Sequence, residues 1–259
     1  MIDWNHLQPL YERKAYRIVQ KHFKAILSKI PVSNATPNTW EILIHGNIHI
    51  EQIQAMFKEI YTTIGINYGN KVNKELEKTK KANVLFNEAL LKEILLFLSN
   101  EGTGKIVSVH ATLIEEVIKA VKEQLGENAT VIELQNAIYN VVSKSQTYFK
   151  WQALRIARTE TTTASGLAAM HTAEQSDLLL SKTWIAAVDN RTRDDHRGAN
   201  NQVVDFDDYF IMPSGVKMRF PGAMFNDKGA VPANEVINCR CTVAFIPKRD
   251  SDGNLILKR

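Results

Sequence analysis

The residue types change abruptly near position 150, and that break constrains the fold more than any single motif. Of eleven arginines only Arg13 and Arg17 come before it, and of eleven aspartates only Asp3 does. No proline occurs from Asn38 to Met212. Lys, Glu, Leu and Ile fill the front part and lose little rotamer freedom in a helix. Asp competes with the backbone for hydrogen bonds and so favours caps and turns. The break predicts an α+β chain: a long helical N-terminal part over residues 1–145, a small mixed domain with a short antiparallel sheet over 146–247, and a polar tail over 248–259.

An apolar fraction of 44% with 23% charged residues is enough to bury a core, so disorder is not the expectation. The net charge of +4 is spread among interspersed acids, which argues against a dedicated nucleic-acid binder with a single basic stripe. No apolar run is long enough to span a bilayer, so no membrane role is expected. The start, Met1-Ile2-Asp3-Trp4, lacks the pattern of a secretory signal. Two cysteines one residue apart form no disulfide framework, pointing to synthesis in a reducing cytoplasm.

Helical spacing of Ala15, Ile18, Val19, Phe23, Ile26 and Leu27 predicts a helix from Trp4 to about Ile30, ended by Pro31. A second helix is expected from Trp40, capped by Thr39, running to about Gly65 and resuming through the Lys71–Lys81 run, with Gly65 and Gly69 as weak points. Asn83–Leu98 is a further apolar segment. The clearest period lies in Ile106–Leu125, with Gly126 as the residue after its end. Thr130 and Glu133 match a capping box, and a last long helix covers about Gln146–Ser176. Thereafter the period changes. Lys182–Val188 reads as a strand with Trp184, Ala186 and Val188 on one face, and Thr192 as the cap of a short helix containing His196. Pro213-Ser214-Gly215 reads as a hairpin turn, Pro232–Val236 as one helical turn, and Cys241–Pro247 as the closing strand.

Two groups of residues could carry chemistry. Cys239 and Cys241 alternate as i and i+2 on a strand, so both sulfurs could meet one ion. A structural zinc would need two more ligands: His196 for one, and Asp189, Asp194 or Asp195 for the other. The alternatives are two small buried side chains or a redox-sensitive pair. The second group is Arg158, Glu160, Asp189, Arg191, Arg193, His196 and Arg240. It lacks a nucleophile with an adjacent base and a Gly-rich phosphate loop, so a structural polar network is expected rather than catalysis. The pair His45 and His49 lacks the intervening Glu of a zincin helix and reads as helix surface.

The order of motifs in the last hundred residues resembles the phage head morphogenesis domain, the family of the phage Mu F protein and the phage SPP1 minor head protein. The pieces are Ala157-Arg158-Thr159-Glu160 with Gly166 beyond, Lys182-Thr183-Trp184, Asp189-x-Arg191-Thr192-Arg193-x-x-His196, and Pro232 leading to Asn238-Cys239-Arg240-Cys241. Ala199-Asn200-Asn201 departs from the usual Gly-containing turn. The resemblance implies a non-enzymatic minor capsid protein at or near the portal vertex, active in head assembly, DNA packaging or ejection. It implies a portal protein as partner, with major capsid or scaffolding protein and packaged DNA as further contacts, and a place inside the virion. A DNA-binding accessory protein and a nuclease or ADP-ribosyltransferase-like effector are the competing readings. Docking through Trp4, Tyr11, Trp40 or Tyr68 is the expectation, since aromatic side chains anchor interfaces.

Overall fold

The computed structural model describes residues 2–77 and 86–258. Residues 78–81 of the Lys-rich run and the expected helix start at Asn83 lie outside them. The chain is α+β, as its composition predicts. Its α-helices are α1 (Trp4–Leu27), α2 (Trp40–Asn47), α3 (Ile50–Glu77), α4 (Phe86–Ser99), α5 (Thr103–Lys122), α6 (Val131–Ser143), α7 (Ser145–Tyr148), α8 (Lys150–Glu174), α9 (Asp194–Gly198) and α10 (Ala233–Val236). The strands are β1 (Leu180–Ile185), β2 (Val203–Asp205), β3 (Phe210–Ile211), β4 (Lys217–Met218), β5 (Phe225–Asn226), β6 (Gly229–Ala230) and β7 (Thr242–Pro247). They form two compact units that are not consecutive in sequence. One joins Met1–Ala15, Ile60–Phe97 and Arg155–Arg259; the other joins Tyr16–Glu59 and Leu98–Leu154.

In the first unit, β1 is the centre of a three-stranded antiparallel sheet ordered β2-β1-β7. Trp184 pairs with Val243 and Ile185 with Thr242, which fixes the register where β7 begins. Leu180, Lys182 and Trp184 share one buried face of β1 by the two-residue period of a strand. Lys182 donates to the Arg219 carbonyl at 2.9 Å and lies over the Phe210 ring, 5.4 Å from its centroid. Tyr68 meets Trp4 and Tyr11 edge-on in an aromatic cluster, and Tyr61 stacks on Phe97. The segment after β7 is tied back to the fold: Leu179 N–H donates to the Ile256 carbonyl and Lys258 Nζ to the Glu174 carbonyl.

The second unit is helical and apolar within. Leu113, Ile114, Val117 and Val121 of α5 and Leu134, Ala137, Ile138 and Val141 of α6 are buried, and Phe23 meets Phe149 edge-on. Thr130 and Glu133 make the predicted capping box. Gln135 donates to the carbonyls of Ser33 and Ala35, holding a short 3-10 turn at Val32–Asn34.

Several local expectations are corrected. The helix that begins at Trp40 stops at Asn47, and α3 then runs unbroken through Gly65 and Gly69. Asn47 bonds back to the Leu43 carbonyl, Ile48 is extended, and Gln52 caps the new helix by accepting from His49 N–H. Gly65 is a packing residue, not a break. A Cβ there would stand 3.0 Å from Ile94 Cδ1 and 3.5 Å from the Ala164 carbonyl, so its absence lets helices approach closely. Thr39 bonds to Thr36 instead of capping α2. The helix through Ile106 ends at Lys122, ahead of Gly126. Strand β1 ends at Ile185, and Val188 is exposed with φ 44° rather than continuing the alternation. Thr192 bonds to Asp189 and does not cap α9.

Candidate metal centre and polar clasp

Helix α8 presents a row of hydroxyls to the loops that close the first unit. Thr159 Oγ1 accepts from Asn238 N–H at 3.0 Å. Thr162 Oγ1 donates to the Cys239 carbonyl at 2.5 Å, and Thr163 Oγ1 to the Gly222 carbonyl at 3.1 Å. One turn on, Gly166 admits Phe220: a Cβ would lie 2.4 Å from the Phe220 ring and 2.9 Å from the Pro221 carbonyl. Asn238 itself is left-handed, φ 58°, a conformation that Asn tolerates better than other side-chain-bearing residues. These bonds set the backbone of Asn238-Cys239-Arg240-Cys241 just ahead of β7.

The two sulfurs converge on one imidazole. His196 Nδ1, on α9, lies 3.5 Å from Cys239 Sγ and 3.4 Å from Cys241 Sγ. His196 Nε2 bonds Glu235 Oε2 of α10 at 2.9 Å, and the other carboxylate oxygen accepts from Asn234 at 2.7 Å. Trp184 stands edge-on to the imidazole with ring centroids 5.3 Å apart. Cys239, Cys241 and His196 are 1%, 2% and 1% exposed. The thiol of Cys239 is pushed up, first by its bond to Cys241 and then by burial. Cys241 is pulled down by that same bond and, against burial, by His196. Burial disfavours His196 protonation, but its bond to Cys241 and the charges of Cys241 and Glu235 outweigh this and raise its pKa.

The expected polar network divides. Arg240 holds Asp189 in a bidentate pair, 2.5 and 2.6 Å, and this guanidinium keeps the carboxyl well below the usual range. Arg191 N–H also donates to Asp189, while its guanidinium is 3.8 Å away and largely exposed. Arg193 bonds the Ile237 carbonyl. Arg158 and Glu160 serve other partners: Arg158 Nε donates to Glu12 at 2.7 Å, and Tyr61 donates to the buried Glu160 at 2.7 Å. Burial and the Glu160 charge hold the Tyr61 hydroxyl well above its ordinary pKa.

Of the aspartates considered as a fourth ligand, Asp189 is taken by Arg240, Asp195 accepts from Ser214 N–H, and Asp194 is exposed. Among the described residues the clustered ligand atoms here are those of His196, Cys239 and Cys241. Sequence reasoning missed Glu235, whose signal was its place in the helical turn leading to Asn238. It also missed Thr163 of α8 and the place of Trp4 at the site, where its indole N–H donates to the Arg240 carbonyl at 2.7 Å. The departure at Ala199-Asn200-Asn201 is accommodated. Asn201 is left-handed at φ 63°, and Asn200 Oδ1 accepts from Ala186 N–H where β1 ends.

The family described as Phage Mu protein F like protein matches residues 111–244, just over half of the chain. The chain belongs to that family. It thus carries a phage head morphogenesis domain. A curated relative, the NAD(+)--arginine ADP-ribosyltransferase EFV of Enterococcus faecalis (strain ATCC 700802 / V583), is 35% identical over 94 residues. That stretch is 35% of this chain and 18% of the relative, so the chain spans less than a fifth of it. No solved structure matches the chain.

Proposed function

We propose that this protein is a minor capsid protein that acts at or near the portal vertex during head assembly, DNA packaging or ejection, with residues 146–247 as its head morphogenesis domain. One observation carries the reading: the acid–base groups of the clasp are each held by a protein partner. The imidazole of His196 and the carboxylate of Glu160 are buried against protein partners, and Asp189 is locked by Arg240. Such an arrangement holds a shape, which is what an assembly component needs.

The docking surface differs from the expected one. Trp4, Tyr11, Trp40 and Tyr68 are all buried in cores and cannot anchor a partner. Among the described residues the exposed aromatic side chains are Trp151 at 75%, Tyr139 at 62% and Tyr148 at 41%, which lie within a short run of sequence in the second unit, and Phe225 at 43% in the first. Burying such side chains at an interface supplies much of the binding energy. The portal protein is the partner we assign to them, with capsid or scaffolding protein as lesser contacts.

Co-expression with the portal protein of the same phage tests this. The wild-type chain is expected to co-purify with the portal, and the double variant Tyr139→Ala/Trp151→Ala to lose it while keeping its helical circular dichroism. Failure of the wild-type chain to co-purify at micromolar concentration would refute the portal assignment. Retention on DNA that falls steeply with salt, by release of counterions, would move the reading to contact with packaged DNA.

A further inference from the structure

We infer that Cys239, Cys241 and His196 bind one thiophilic divalent cation of the zinc class, as a three-ligand centre that ties α9 to the start of β7. In a tetrahedral zinc site, sulfur lies roughly 2.3 Å and imidazole nitrogen about 2.0–2.1 Å from the ion. Those bond lengths put nitrogen and sulfur roughly 3.5–3.6 Å apart along a tetrahedral edge. His196 Nδ1 is 3.5 Å from one sulfur and 3.4 Å from the other, so both edges are already set. Two soft sulfurs and an imidazole are the donor set that selects zinc over calcium or magnesium.

The surroundings are those of a ligand set, not of inert core cysteines. A metal-bound histidine typically donates its remaining N–H to a carboxylate, which fixes the ring and its tautomer. Glu235 stands in that position at 2.9 Å from Nε2, and is itself steadied by Asn234. On either side of the sulfurs the backbone is pinned, by Thr162 at the Cys239 carbonyl and by Trp4 at the Arg240 carbonyl. Inert buried thiols need none of these polar groups. A redox-sensing pair needs an accessible sulfur, and these are almost fully buried. Binding replaces the thiol protons with the ion, so the two thiolate charges balance its two positive charges. The three ligands line a small pocket with Ala187, Arg191, Thr192, Arg193, Asn238 and Arg240.

The test uses the full chain, purified from zinc-supplemented medium and dialysed into metal-free buffer. Elemental analysis is expected to find one zinc per chain, and exchange with cobalt(II) to give the visible absorption of a tetrahedral thiolate site. Glu235→Gln is expected to keep the site with a 10–100-fold weaker zinc affinity, because the imidazole loses its orienting carboxylate. Cys239→Ser/Cys241→Ser is expected to bring the zinc content below a tenth of an equivalent. That double variant is read alongside the wild-type cobalt spectrum, which does not depend on whether the variant folds. Folded wild-type chain that takes up neither ion at micromolar concentration, with both thiols titrating as free, would overturn the inference. A Cys239–Cys241 disulfide in freshly purified protein would overturn it as well.

Discussion

The two compact units are stabilised in different ways. In the unit containing α5 and α6 the buried faces of these helices are apolar stripes at helical spacing. In the unit containing the sheet, buried Thr159, Thr162, Thr163, Lys182, His196 and Glu235 each have a specific partner. Apolar contacts are non-directional and tolerate repacking, whereas a buried hydrogen bond is lost outright when one partner goes. The helical unit should therefore lose stability when volume leaves its core or a polar atom enters it, and the sheet unit also when a hydrogen-bonding atom is removed.

The largest expected effect is on volume. Leu113→Ala removes a fully buried side chain from α5 and should cost about 3–4 kcal/mol in urea unfolding. Gly166→Ala comes next, at about 2–3 kcal/mol, because the added methyl collides with Phe220 and the Pro221 carbonyl, and the carbonyl has little freedom to move. The comparison itself is tested most directly by a reciprocal exchange. Thr162→Val keeps shape but strands the Cys239 carbonyl, and should cost about 1–2 kcal/mol. Val117→Thr in the helical unit should cost about as much, roughly 1–2 kcal/mol, since only its own helix backbone can accept the new hydroxyl. A neutral Thr162→Val would break the contrast between the units.

The smallest effect is a pH dependence. Burial, chiefly, lowers the pKa of Lys182 from 10.5 to about 8. Between those values the unfolded chain binds more protons at this site than the folded one, so stability rises with pH across the window and falls as pH drops toward 8. Urea midpoints measured from about pH 8 to 9.5, below the range where tyrosines ionise, should climb for the wild-type chain and stay flatter for Lys182→Met. Equal slopes would show that the folded lysine is not held near its lowered pKa.

Much of the fold was legible in the residues. The break near 150, the capping box at Thr130, the hairpin at Gly215 and the closing strand to Pro247 all rest on short-range chemistry, and short-range chemistry is what a sequence displays. The helix expected to pass from Trp40 to Gly65 shows the limit. Its stop at Asn47 and its continuity through Gly65 depend on Gln52 capping and on an alanine face of α8 brought close in space. The candidate site divides along the same line. Cys239, Cys241 and His196 were nameable from residue type and the strand period, but Glu235 was not, because its role exists only when α10 meets α9.

The sequence by itself determined that the chain would be helical first and mixed later, and that its last hundred residues would carry the motifs of a phage head protein. Propensity, periodicity and caps act over a few residues and need no fold to be read. Only the tertiary structure decided that Arg158 and Glu160 would leave the clasp for Glu12 and Tyr61. It alone sent Trp4 and Tyr68 into the core and brought two sulfurs to within 3.5 Å of one imidazole nitrogen. Which partner a buried polar group takes depends on what long-range packing places within hydrogen-bond reach, and leaving it unpaired in a low-dielectric interior is costly enough to settle the choice.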